Sequence, residues 1–160
     1  MATLAAQFIS KKEGFTPTAK WDKNRLRLGF GTDNILGSDG KIRKVVEGDT
    51  TTREDATKVL QYDIVQRFKG RVVGPNGNQL TEAEFEALSS PAKAAVISYA
   101  YNVGSLRKGI AQAIKAKDYT LAAAKIKEGP VTAKDTKTGI SETLQGLVKR
   151  RAEEAALFLS

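Results

Sequence analysis

The chain has no cysteine and no histidine, and its 160 residues include one tryptophan, one methionine and four prolines. Without cysteine there is no disulfide, no thiolate nucleophile and no cysteine-based metal site. Without histidine the usual general base near neutral pH and the commonest metal ligand are missing as well. Any catalysis therefore falls to Asp, Glu, Lys, Tyr, Ser or Thr, and neither a cofactor nor a metal is expected. Long apolar runs are also scarce. The N-terminal stretch Ala2 to Ile9 is short, is broken by Gln7, and is followed by Lys11 and Lys12 instead of preceded by them. That is the wrong order for a cleaved signal peptide and far too short to span a bilayer, so synthesis in the cytoplasm is expected.

Acidic residues are in deficit: 18 Asp and Glu against 26 Lys and Arg leave a net charge of +8. A positive balance favours an anionic partner, whether nucleic acid, an acidic lipid surface or a cell-wall polymer. The bases are interleaved with acids along most of the chain, which also describes a well-solvated surface. A nucleic-acid binder calls for a clustered basic face with aromatic stacking residues. The sequence offers neither, and no nucleic-acid partner is expected.

What is present reads as an α+β chain. Leu4, Phe8 and Ile9 recur at helical spacing over residues 2–12, and Gly14 suits a helix end, which leaves Glu13 at the C-terminal edge of a short helix. From 22 to 46 the texture changes. Leu26, Leu28 and Phe30 alternate with Arg25, Arg27 and Gly29, and Lys41 to Val46 follow a turn-rich stretch, predicting a small antiparallel hairpin. Beyond Thr50 the pattern is helical. Thr51 or Thr52 can cap a helix that runs to Lys69-Gly70 and is long enough to join two lobes.

Thr81 opens a capping box with Glu84, and the segment Ala94 to Val103, apolar nearly all round, predicts a buried central helix ending at Gly104. Further helices are expected over about 105–117, 118–128 and 143–159, with a polar loop around Asp135 to Gly139. The residues group into a small β lobe at about 14–50 and a helical lobe made of about 70–160 plus the N-terminal helix, together one domain.

Hydrolysis of a glycosidic bond needs one carboxylic acid to protonate the leaving oxygen and a second carboxylate across the sugar. Glu13 and Asp22 are separated by eight residues that include Pro17, so the chain can fold back and aim both at one place. Acid pairs at such spacings are common, and the spacing alone is weak evidence.

Three motifs in order add to it. Glu13-Gly14-Phe15, then Asp22, then Gly29-Phe30-Gly31-Thr32 resemble the N-terminal signature of phage lysozymes of the bacteriophage T4 type, glycoside hydrolase family 24. Ala94 to Gly104 is similar to the central helix of that family. Gly146-Leu147-Val148-Lys149-Arg150-Arg151-Ala152-Glu153 is similar to its C-terminal Gly-Leu-x-x-Arg-Arg-x-x-Glu motif.

The resemblance implies a lysozyme-like fold with a cleft between the lobes. It also implies a muramidase that cleaves the β-1,4 bond between N-acetylmuramic acid and N-acetylglucosamine, for host lysis or wall penetration by a phage. Glu13 then takes the role of general acid, which has to hold its proton, as burial favours. Asp22 holds or activates the attacking water. Arg150 corresponds to an arginine that reaches back to the catalytic glutamate. Asn102 and Tyr101 fall where the central helix forms the floor of the sugar site, although Tyr101 reads equally as a core residue. Trp21 either stacks on a sugar or closes the hairpin lobe. Peptidoglycan is the implied partner, the chain is expected to be a monomer, and release onto the wall is expected to need a holin or an injection apparatus.

One departure stands out. The family carries a threonine on the first strand after the aspartate, and Arg27 occupies that place here. A guanidinium cannot accept a hydrogen bond and cannot hold water as a hydroxyl does. Either Arg27 pairs with Asp22, which opens the way to a transglycosylase outcome, or the register slips and Thr32 or Asn24 holds the water. A wall-binding homologue that has lost catalysis through Arg27 is the reading from outside enzymology.

Overall fold

A computed structural model describes residues 1–134 and 138–160; Asp135 to Lys137, in the expected polar loop, lie outside the described residues. The chain divides into two compact units, Ala2–Gln66 and Arg67–Ser160, with Met1 grouped with the second.

The first unit opens with α1 (Ala2–Lys12), whose Ala5, Ala6 and Ile9 are buried and which packs on α2 (Arg53–Asp63). Between the helices lie two small antiparallel pairs. β1 (Thr16–Asp22) pairs with β2 (Arg25–Gly29), setting Lys20 opposite Arg27 and Asp22 opposite Arg25. β3 (Asn34–Leu36) pairs with β4 (Ile42–Lys44). The expected hairpin between the 26–30 and 41–46 segments is therefore replaced by two separate ones. β1 escapes a pattern-based reading because Pro17 sits inside it, and proline is tolerated only where no ladder N–H is needed. The register is irregular between Thr16 and Lys20, where Pro17 falls, and the Pro17 carbonyl accepts from the Thr51 N–H at 2.8 Å.

Leu28, Ile35 and Val45 form the small core of this β region, with Leu26 and Ala19 packed on it. Thr52 caps α2 by accepting from the Asp55 N–H at 3.2 Å. Asn34 Nδ2 donates to the buried Asp63 Oδ1 at 2.9 Å, tying β3 to the end of the helix. The helical run continues through a π-helical stretch, Ile64–Phe68, into α3 (Lys69–Val72).

The second unit holds α3, α4 (Glu82–Glu86), α5 (Ser90–Val103), α6 (Lys108–Lys115), α7 (Tyr119–Glu128) and α8 (Gln145–Leu159), with a short hairpin of β5 (Thr132–Lys134) and β6 (Ser141–Thr143). The capping box at Thr81 and Glu84 is complete in both directions. α5 is the buried centre: Ala92, then every residue from Ala94 to Ala100, is buried, and Gly104 ends the helix at φ 102°. α8 packs against both α5 and α7.

Candidate active site

Glu13 directly follows α1, its N–H donating to the Ile9 carbonyl at 2.9 Å as the last helical bond. The next residues are anchored by Phe15. Its ring packs on Phe30 at 5.5 Å, and the Arg53 guanidinium lies 4.6 Å from its centre. The chain then enters β1, turns at Lys23-Asn24 and returns as β2. Glu13, Trp21, Asp22 and Arg27 consequently line one pocket of about 280 Å³, together with Thr16, Lys20, Leu28 and Gly31. Four of the residues expected at the site from the sequence thus meet within the first unit.

Asp22 and Arg27 touch, with Nε 3.3 Å from Oδ2. Arg27 also reaches the Gly31 carbonyl through Nη1 at 3.4 Å, so the guanidinium bridges the strand end and the turn after it. Both side chains of the ion pair are substantially exposed, so solvent screens the attraction and its worth to stability is at most about 1 kcal/mol. Among the described residues Arg27 Nε makes no hydrogen bond, so the contact is one of charge alone. Trp21 stands beside Asp22 with 66% of its surface exposed, an aromatic face open to the pocket rim and outside the core of the β region.

The glycines of the Gly-x-Gly segment have local reasons. Gly29 has φ +62°, and a Cβ built on it would lie 2.9 Å from the Ala56 Cβ, so β2 approaches α2 too closely for any side chain there. Gly31 has φ +86° in the turn that lets the Leu28 N–H bond the Thr32 carbonyl at 3.1 Å. Thr32 is buried, and its hydroxyl donates to the Asn34 carbonyl at 3.0 Å. It is not among the residues lining the pocket.

The remaining expected residues belong to the second unit. The Tyr101 ring packs on Phe68 with centres 4.6 Å apart. Asn102 Oδ1 accepts from Arg151 Nη2. Arg150 Nε donates to Glu154 Oε1 at 3.1 Å, Ser98 Oγ donates to the same oxygen at 2.6 Å, and Arg151 Nη1 donates to Glu154 Oε2. Arg150, Arg151, Ser98 and Glu154 are all buried, and the Arg151 guanidinium lies 5.0 Å from the Tyr99 ring centre. The glutamate of the C-terminal motif is therefore Glu154, one residue past the stretch quoted above. It accepts from two buried arginines.

Sequence reasoning missed Thr16 and Lys20 as lining residues. Their signal was the alternation of Thr16, Thr18, Lys20 and Asp22, obscured by Pro17.

Two carboxylates lining one pocket are the groups that glycoside hydrolysis uses. Solved structures share the fold. The muramidase domain of SpmX from Asticaccaulis excentricus is 24% identical with a TM-score of 0.68, covering 98% of this chain and 95% of that one. An endolysin from the Escherichia coli O157:H7 phage FAHEc1 is 21% identical with a TM-score of 0.68, covering 98% and 91%. A mutant of P22 lysozyme is 23% identical with a TM-score of 0.66, covering 98% and 95%. No curated protein matches the chain by sequence. The family model for phage lysozyme matches residues 10–154, and the chain belongs to the phage lysozyme family. It is a peptidoglycan-degrading muramidase, and its substrate is the bacterial cell wall. Among the described residues no helix is long and apolar enough to cross a membrane.

Proposed function

We propose that the chain cleaves the β-1,4 bond between N-acetylmuramic acid and N-acetylglucosamine, with Glu13 as general acid and Asp22 as the carboxylate that handles water. The observation that carries the assignment is the presence of both acids in one pocket of about 280 Å³ beside an exposed tryptophan. In the reaction Glu13 gives its proton to the bridging oxygen as the bond from the anomeric carbon to that oxygen breaks. Water adds to the anomeric carbon and loses a proton towards Asp22, and Glu13 recovers its proton from solvent. Trp21 stacks on a sugar face. The family resemblance supports sugar contacts for Asn102 and Tyr101, a supporting role for Arg150, and a place for Thr32 near the β-strand turn. The whole chain works as one lysozyme domain and as a monomer, made in the host cytoplasm and reaching the wall through a holin or an injection apparatus.

One observation favours a second outcome of the same cleavage. Arg27 Nε stands 3.3 Å from one oxygen of Asp22 and competes with water for it. The muramyl 6-hydroxyl then competes as acceptor at the anomeric carbon and yields an anhydro-sugar. The test is digestion of isolated peptidoglycan by the unmodified protein and by Glu13→Gln, with mass spectrometry of the fragments. Release of muropeptides that is lost in Glu13→Gln is the expected result. Equal release by both proteins overturns the role of Glu13, and no release by the unmodified protein overturns the enzyme reading. Fragments lighter by one water identify the transglycosylase outcome.

A further inference from the structure

We infer that Lys20 and Arg27 form a clamp for a carboxylate of the substrate, so that the enzyme reads the free carboxylates of the peptide stem carried by the muramyl sugar. The inference deepens the reading of this pocket as the place of cleavage and rests on it. Register sets the arrangement. Lys20 and Arg27 are direct partners across β1 and β2, so their side chains leave the same face of the pair, and both residues line the pocket that holds Glu13 and Asp22. Asp22, two residues further along β1, and its partner Arg25 belong to that face as well.

Three cations and one carboxylate thus share one face of a two-stranded hairpin, and like charges directly opposite each other destabilise a strand pair. Arg25 is answered by Asp33, Nη1 to Oδ2 at 3.4 Å, and Arg27 by Asp22, Nε to Oδ2 at 3.3 Å. Among the described residues Lys20 has no carboxylate partner. The uncompensated charge of the pocket is therefore on Lys20, directly across from Arg27. The guanidinium carries five N–H groups, of which Nη1 meets the Gly31 carbonyl at 3.4 Å, so it keeps donors for a further acceptor. A carboxylate between the two side chains relieves their repulsion and accepts charge-assisted hydrogen bonds from both.

The chemistry of the wall identifies the group. The sugars of the glycan offer hydroxyls and acetamides, which are neutral. The stem peptide carries free carboxylates, and it hangs from one of the two sugars at the scissile bond. A neutral amide in place of the carboxylate answers neither charge. Lys20 is exposed, so salt screens the attraction, and the preference for a charged stem should shrink as ionic strength rises.

The experiment uses the whole chain and soluble peptidoglycan fragments of two kinds, one with free stem carboxyls and one with the same carboxyls converted to amides. Affinity is measured by calorimetry in Glu13→Gln, which leaves the fragments uncut, alone and combined with Lys20→Met or Lys20→Arg. Glu13→Gln should bind the charged fragments roughly tenfold more tightly than the amides, the worth of one charge-assisted hydrogen bond. Lys20→Met should erase that difference, and Lys20→Arg should keep it. Equal affinity for the two fragments before Lys20 is changed overturns the inference. So does a preference that survives Lys20→Met, or a weakening of both fragments alike. With Glu13 in place, Lys20→Met should raise KM for the charged fragments at unchanged kcat, and a loss in kcat instead also overturns the inference. No cutting of either fragment by the unmodified protein overturns the reading of the pocket as the place of cleavage, and is judged separately from the affinities.

Discussion

Arg27 Nε lies 3.3 Å from Asp22 Oδ2 near the turn end of the β1–β2 hairpin, so a guanidinium stands against the carboxylate assigned to water. Because both side chains are substantially exposed, releasing the pair changes stability by less than about 1 kcal/mol. Its effect falls on chemistry. Arg27→Thr frees Asp22 and adds an acceptor on β2, so the fraction of hydrolysed ends should rise against anhydro ends while the thermal midpoint moves little. Mass spectrometry of the digest and a melting curve check the two halves separately. An unchanged product ratio would show that Arg27 does not select the acceptor.

The α8 network makes the opposite prediction, with a large effect on stability. Glu154 is fully buried and accepts from Arg150, Arg151 and Ser98. Replacing it by leucine removes the buried carboxylate that accepts from both guanidinium groups, which costs about 3–5 kcal/mol. The exposed pair Lys58 and Glu54, at 3.4 Å, provides the contrast, and Glu54→Gln should cost no more than about 0.5 kcal/mol. Denaturant midpoints for the two variants separate the cases. A small loss in Glu154→Leu would mean the arginines find other partners.

Gly29→Ala tests whether the glycine of the strand motif is there for geometry. The position has φ +62°, and the added Cβ would meet the Ala56 Cβ at 2.9 Å, with backbone close behind it. The left-handed conformation costs a non-glycine residue about 1–2 kcal/mol. The clash with α2 adds to that and pushes β2, with Arg27 and Leu28, out of register with the pocket. The variant should melt lower and lose activity together. Gly14→Ala, with open space around its Cβ, should do neither.

These contrasts also explain how much of the molecule was legible in its sequence. Helix ends were, because caps are local chemistry. Thr52 and Thr81 each meet the N–H three residues on, and Gly104 takes a left-handed φ. The buried face of α5 was legible for the same reason, as a run too apolar to expose. Strand pairing was not. Whether Leu28 faces a strand at 16–22 or one at 41–46 depends on long-range packing, and Pro17 disguised the true partner. At the site, Glu13 and Asp22 were visible through the motif that carries them, their spacing alone being common, and Arg27 as a departure from that motif. Thr16 was invisible because its relevance comes only from the hairpin that carries it to the same pocket.

The acid sensitivity of the β region should trace to Asp49. Arg43 donates to both of its oxygens, at 2.7 and 2.9 Å, and the Val46 N–H adds a third bond at 2.8 Å. The Arg43 hydrogen bonds, followed by that from Val46, hold the Asp49 carboxyl at about 2, below its ordinary value of 3.8. A carboxylate with a depressed folded value stabilises the fold above its unfolded pKa and loses that contribution as pH falls through the folded one. The interval is therefore from about pH 4 down to about pH 2. The Asp49 carbonyl accepts from the Ala19 N–H at 2.9 Å, so protonation loosens the loop that braces β1, and with it the strand bearing Trp21 and Asp22. Stability measured against pH should fall across that interval in the unmodified protein. In Arg43→Gln the same carboxyl loses its strongest partner, and the acid-dependent part of the loss should shrink while stability at neutral pH drops. An identical acid profile in Arg43→Gln would assign the sensitivity to another carboxylate.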